Sequence, residues 1–460
     1  MMRFIYRRSL RVVLLLLFVQ AAGSAALAAE RNPVVIIPGV TGSELVNPKA
    51  KKELVWPSIS RSKTDDIRLP ITEHPLESRD GLVAGDVIRS LKIGVFPRID
   101  IYQGLIDALT DRGGYHEENW EAPTGAGGEA AIYVFPYDWR LDNVHNARLL
   151  VRKLEALKAV LKKPELKFDV IAHSMGGLIT RYAAMYGDAD LPAAGRKPTP
   201  TWAGEKLFGK IVLLGTPNEG SPITLAGFVR GESFGPVDVN LPFVRNVSRF
   251  DIFAIPAAYE LLPAPGTFRL FDADLNEIEV DLYDPRVWKE YGWDPIEDPK
   301  FRSEFSPAER KAAPVFFAKM LARAKLFHEA LAARSNAKVT AEFDLVGSEC
   351  RATVDAAVVS RNGKSGGWTT LFNVDEIRKA NGKALGADEL RAAIYTPGDG
   401  VVTAISFQAK GELSTEPAST KFVCESHSRL PGNAEIQDHI IDVLRGVTLE
   451  KRGETDGKGR

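Results

Sequence analysis

Phe168-Asp169-Val170-Ile171-Ala172-His173-Ser174-Met175-Gly176-Gly177 is the stretch that decides how this chain folds. The apolar run Phe168 to Ile171 reads as a buried strand, and Leu178, Ile179, Tyr182 and Met185 follow at helical spacing. A serine on a sharp strand-to-helix turn needs small residues two positions away on either side, because the turn brings neighbouring backbone close. Ala172 and Gly176 supply them. Such a turn, a nucleophile elbow, presents the Ser174 hydroxyl above a sheet with a backbone N–H beside it. The usual motif has glycine where Ala172 stands, so this is its A-x-S-x-G variant. His173 is expected on the strand's other face, pointing away from the serine.

Outward from the elbow, short apolar runs rich in β-branched residues recur at Val34 to Ile37, Ile132 to Phe135, Ile211 to Leu214, Phe343 to Val346 and Lys421 to Cys424. Runs of this kind suit parallel strands buried on both faces. Leu150, Leu154, Leu157 and Leu161 make one helical stripe between two of them. Alternating strands and helices predict an α/β fold with a mainly parallel central sheet and right-handed crossovers.

Three stretches exceed a minimal α/β unit: 43–99, long and irregular; 221–265, rich in Phe, Leu, Pro and Gly; and 274–338, with several Trp and then a helix. They read as cap and lid insertions (43–99 and 221–338) on one hydrolase domain, 29–450. Ser306-Pro307-Ala308-Glu309 forms a capping box for that helix, which Pro314 is expected to kink or restart. Leu225, Phe228, Leu241, Phe243 and Val244 suit either an interfacial lid or cap core. Residues 451–460 read as a solvated tail.

The termini and composition narrow the function classes. Arg3, Arg7, Arg8 and Arg11 precede the apolar run Val12 to Val19 and then Ala26-Leu27-Ala28, so 1–28 reads as a secretory signal peptide. An N-terminal anchor is the other reading of this segment. Export would place the chain in a periplasm or outside the cell. A formal net charge of −1 gives no reason to expect nucleic acid as a partner. In an exported chain the two cysteines, Cys350 and Cys424, could bridge or remain as thiols. The histidines have no metal-ligand spacing, and no cofactor is implied.

A serine nucleophile needs a base, and the base needs an acid to fix its tautomer. On an α/β-hydrolase the order is Ser, then acid, then His. Asp399, between Gly398 and Gly400 and before Val401-Val402, is placed to project from a loop. Only His427 and His439 follow it. His427 comes just after a strand and can be aimed at the serine, whereas His439 sits on a helix with Ile436, Ile440 and Leu444. The oxyanion of an acyl-transfer intermediate needs N–H donors. By position these are the backbone groups of Met175 and of Val40, in the loop Pro38-Gly39-Val40-Thr41-Gly42.

Several segments together resemble the lecithin:cholesterol acyltransferase family, which includes lysosomal phospholipase A2. They are Asn32-Pro33-Val34-Val35-Ile36-Ile37-Pro38-Gly39, Trp56-Pro57-Ser58, Phe135-Pro136-Tyr137-Asp138-Trp139-Arg140-Leu141, Leu214-Gly215-Thr216-Pro217-Asn218-Glu219-Gly220-Ser221, Gly398-Asp399-Gly400, and the stretch from Ser426 to Gly446. The resemblance implies an α/β-hydrolase core with a cap, a mobile lid and a membrane-contacting insertion. It also implies cleavage of lipid acyl esters through an acyl-serine on Ser174, with Asp399 and His427 as acid and base, at a membrane or lipoprotein-like interface. The chain departs from the family in having no cysteine between Ser43 and Ile99, so the disulfide that tethers the family's membrane insertion is missing. A general carboxylesterase or polyester depolymerase, and a non-catalytic binding protein on a hydrolase scaffold, are the rival expectations.

Overall fold

The computed structural model describes residues 31–447 apart from 51–52, 58–66, 93–97, 126, 194, 232–246, 338, 362–365, 375–386 and 410–415. The expected signal peptide and tail therefore lie outside the described residues, as do Leu241, Phe243 and Val244. Seven strands form the central sheet: β1 (Val34–Ile37), β2 (His116–Glu117), β3 (Ala131–Val134), β4 (Phe168–His173), β5 (Phe208–Leu214), β6 (Glu342–Gly347) and β7 (Ser419–Phe422). Their spatial order is β7-β6-β5-β4-β1-β3-β2, and every neighbouring pair is parallel. In the sheet centre Val34 to Ile37 and Ala131 to Tyr133 are almost wholly buried. Burying each such Val or Ile contributes about 1.5–3 kcal/mol, which is why these short runs hold as strands.

Helices flank this sheet, two of them on the expected stripes. Helix α1 covers Gln103–Asp111, α2 Asn143–Leu161 and α3 Met175–Tyr186. Asp142 caps α2 by accepting from His145 N–H. Every residue of α3 is buried, including Arg181, whose guanidinium donates to Asn218 Oδ1 and to the Leu331 carbonyl. The helix α4, Pro307–Ala332, starts on the expected capping box between Ser306 and Glu309. It runs on without a break, so Pro314 does not restart it. Pro314 is tolerated because the packing of Phe316, Phe317, Met320, Leu321 and Phe327 holds the helix through the missing N–H. The last helix is α5, Ala434–Leu444.

One expectation about the insertions changes, and one alternative is decided. Residues 43–99 are not irregular throughout, since Ser43–Asn47, Glu53–Trp56 and Val83–Val87 form a three-stranded antiparallel sheet. Arg140 ties this region to the core. Its fully buried guanidinium pairs with Asp138 at 2.8 Å and with Asp80, and donates to the Ile67 carbonyl at 3.2 Å. Leu225 and Phe228 are buried in the hydrophobic core, with Phe228 packed edge-on against Tyr259 and Trp288. Among the described residues no helix is long and apolar enough to cross a membrane.

His328, on α4 between Tyr283 and Phe327, is fully buried, and burial pulls its imidazole down to about 4. The unfolded chain would bind a proton there below its ordinary value near 6.5, while the native state would not. The stability this residue gives is therefore complete above about pH 6.5 and is lost as pH falls toward 4. His328→Gln is expected to flatten the fall in unfolding free energy across this window by about 1.4 kcal/mol per pH unit, read from denaturant titrations. Equal slopes in variant and wild type would show that His328 is not held neutral.

Candidate functional site

Strand β4 ends at His173, and the chain then turns through Ser174 at φ 54° and ψ −126°, a conformation costly for a residue with a Cβ. The small neighbours do what the sequence requires. A Cβ on Gly176 would lie 2.6 Å from the Pro38 carbonyl oxygen, and Ala172 sits wholly buried in register between Ile37 and Leu213. The Ser174 N–H donates to the Leu214 carbonyl at 2.8 Å, which holds the turn against β5.

Three side chains distant in sequence meet over this turn. His427 Nε2 lies 2.9 Å from Ser174 Oγ, and His427 Nδ1 lies 2.7 Å from Asp399 Oδ2. Asp399 is 2 % exposed, and its Oδ1 accepts from the N–H groups of Val401 at 2.9 Å and Val402 at 2.7 Å. One carboxylate oxygen is thus spent on holding its own loop, and the other on the histidine. The His427 N–H in turn donates to the Asp399 carbonyl at 3.0 Å, so the two loops are joined by backbone as well as side chain. Gly215, at φ 58°, passes so close that a Cβ would lie 2.7 Å from Leu430 and 3.3 Å from both Asp399 Oδ2 and His427 Nδ1. Only glycine leaves that pair room.

The loop after β1 runs against the nucleophile, where a Cβ on Gly39 would lie 2.8 Å from Ser174 Cβ. Tyr137 Oη donates to the Pro38 carbonyl at 2.8 Å, and Trp56 Nε1 donates to the Thr41 carbonyl at 2.9 Å. Val40 follows Gly39 directly. Met175 is the first residue of α3, where N–H groups have no partner within the helix.

Cys350 and Cys424 are disulfide-bonded across a separation of 74 residues. Cys350 precedes the strand Arg351–Val354, which pairs antiparallel with Tyr395–Gly398, the strand leading into Asp399. Cys424 stands three residues before His427. The bridge therefore ties the acid's hairpin to the histidine's loop. Replacing both cysteines by serine is expected to cost about 2–4 kcal/mol of stability in guanidinium unfolding, because the open chain gains freedom only when unfolded. An unchanged midpoint would contradict this.

His439 is buried on α5 with its Nε2 lacking a hydrogen-bond partner among the described residues, and burial lowers its imidazole. His173 is not turned away as expected. Its ring centroid is 5.0 Å from that of His427, and its Nδ1 is 2.8 Å from Tyr102 Oη. The alternation of a strand places a side chain relative to the sheet's faces, but the loop carrying His427 passes over the end of β4 and sets its backbone carbonyl 3.1 Å from His173 Nε2. Tyr102 gave no signal in the sequence beyond an aromatic at the start of a helix. Among the described residues no group of three or more His, Cys, Asp or Glu side chains is placed to hold a metal.

The family model for lecithin:cholesterol acyltransferase matches residues 118–295, which include Ser174 but neither Asp399 nor His427. An uncharacterized protein of Saccharomyces cerevisiae, YJR098C, is 24% identical over 287 residues, covering 61% of this chain and 36% of its own length. The chain thus spans about a third of that relative. Among solved structures, a chain of the Tle4-Tli4 complex superposes with a TM-score of 0.53 at 15% identity, covering 90% of this chain and 98% of that one. The mature form of the Bacillus licheniformis lipase BlEst2 gives a TM-score of 0.35 at 11% identity, covering 90% and 93%. The chain has an α/β-hydrolase fold and resembles the lecithin:cholesterol acyltransferase family, whose model it matches through its elbow segment.

Proposed function

We propose that this protein is an exported serine acyl hydrolase or O-acyltransferase that cleaves acyl esters of lipids. The observation that carries the reading is the in-line set Ser174 Oγ, His427 Nε2 and Nδ1, and Asp399 Oδ2, with contacts of 2.9 and 2.7 Å on a strained elbow. In the first half-reaction Oγ attacks the ester carbonyl while His427 Nε2 takes its proton. The backbone N–H groups of Val40 and Met175 hold the oxyanion that forms. The bond from the carbonyl carbon to the alkoxy oxygen then breaks, and the leaving alcohol takes the proton from His427. In the second half-reaction water or another alcohol attacks the acyl-serine by the same route, giving a fatty acid or a new ester and restoring Ser174.

Lipid as the substrate is supported by the family match and by the three-stranded sheet of residues 43–87. There Val46 stands opposite both Leu54 and Val83, which are 44% and 45% exposed, so one apolar ladder faces outward. Such a ladder suits contact with a lipid surface. Export is supported by the leader-like segment 1–28 and by the disulfide, which persists in an oxidising compartment.

Phosphatidylcholine vesicles incubated with the purified chain, with and without a long-chain alcohol or a sterol, provide the test. Free fatty acid absent from a Ser174→Ala blank is the expected product, and a new ester formed at its expense assigns acyl transfer. If no lipid yields a Ser174-dependent product while short soluble esters do, the lipid reading fails and a general esterase remains.

A further inference from the structure

The proposed reaction leaves one hydrogen-bonded chain at this site unused. The Gly39 N–H lies 2.9 Å from Tyr102 Oη, Tyr102 Oη lies 2.8 Å from His173 Nδ1, and His173 Nε2 lies 3.1 Å from the backbone carbonyl oxygen of His427. All the side chains in it are buried. A carbonyl oxygen can only accept, so Nε2 carries the hydrogen. Burial holds this imidazole neutral, down to about 3, with His427 beside it adding to the effect. Nδ1 is then a lone-pair acceptor. The single Tyr102 hydroxyl hydrogen must point at it, and the Tyr102 oxygen accepts from Gly39. Every bond in the chain thus has one direction.

The two ends of this chain matter. Gly39 belongs to the loop that lies against Ser174 and leads into Val40, and the His427 carbonyl belongs to the residue whose ring contacts Ser174 Oγ. Asp399 orients the ring of His427 from one side, while His173 holds its backbone from the other. We propose that Tyr102 and His173 are positioning residues that tie the oxyanion loop to the histidine loop, so that the Val40 N–H and His427 Nε2 keep a fixed spacing about Ser174. The proposal rests on the serine acyl-transfer reading given above. Neither residue touches the reacting atoms in this scheme. Their effect comes from geometry, where a displacement of about 1 Å costs on the order of a hundredfold in rate.

The test uses the full mature chain with a soluble p-nitrophenyl ester as probe and a boronic acid that forms a tetrahedral adduct on the serine. Tyr102→Phe, which removes one oxygen atom, and His173→Leu are each expected to lower kcat about ten- to a hundredfold. KM and melting temperature should stay close to wild type, and boronate affinity should weaken in step with kcat. Because both residues sit in one chain, the double variant should be little worse than the poorer single. His173→Gln, whose amide can still reach the His427 carbonyl, should recover part of the rate. A drop in melting temperature with no change in kcat would reduce the pair to a structural role and overturn the proposal. Rate losses that multiply in the double variant would also overturn it. If Ser174→Ala is inactive while Tyr102→Phe and His173→Leu stay within twofold of wild type, the positioning role fails alone. Turnover that survives Ser174→Ala removes the serine reading and this one with it.

Discussion

Ser174→Ala is expected to reduce ester turnover by a factor of about a million while leaving the fold intact. The hydroxyl makes one side-chain contact within the protein's own machinery, the 2.9 Å bond to His427 Nε2, so little stability depends on it. In the proposed mechanism the rate depends on it entirely, because the acyl group has nowhere else to be held while the leaving alcohol departs. A fluorophosphonate should label the wild-type chain at this residue and fail to label the variant. The backbone adds a second, opposite effect. Ser174 sits at φ 54° and ψ −126°, so Ser174→Gly should be inactive yet more stable by about 1 kcal/mol, because glycine adopts that conformation without strain. A Ser174→Ala variant with wild-type turnover would end the mechanism. A Ser174→Gly variant less stable than wild type would show that the elbow is not strained.

Asp399→Asn is expected to lower kcat by about ten-thousandfold with little change in fold. The asparagine carbonyl can take the place of Oδ1 and keep accepting from Val401 and Val402, so the loop retains its shape. The amide nitrogen then occupies the place of Oδ2, 2.7 Å from His427 Nδ1. Two donors cannot face each other, so the ring must move its hydrogen to Nε2, and the lone pair that should accept the Ser174 proton is lost. The substitution therefore removes the base by reversing its tautomer rather than by removing its contact. Steady-state kinetics with the melting curve of the same preparation check this. A variant within tenfold of wild type would mean that Asp399 does not orient the base.

Much of this architecture was legible because local patterns carried it. Strand runs such as Val34 to Ile37 and Phe168 to Ile171 are buried on both faces, and such burial leaves a continuous apolar signature. Small residues around Ser174, the box from Ser306 to Glu309, and the order Ser, Asp, His are likewise local or sequential facts. What failed to read was whatever depended on two segments meeting. His173 was expected to face away, because alternation describes a strand and not the loop that closes over its end. The antiparallel sheet within 43–99 pairs strands whose own sequences carry no clear period. Leu225 and Phe228 read equally well as lid or as cap core, and the packing of Tyr259 and Trp288 against Phe228 decided for core.

The sequence by itself determined the parallel α/β scaffold, the position of the elbow and the identities of the residues proposed as nucleophile, acid and base. It could do so because side-chain volume and backbone permissiveness act within a few residues of each other. Only the tertiary structure decided the spacing of Ser174, His427 and Asp399, the chain from Gly39 through Tyr102 and His173, and the pairing of Cys350 with Cys424. Those contacts join residues up to 254 positions apart. Their hydrogen-bond directions follow from which donors and acceptors the fold brings within 3.1 Å, which no single segment encodes.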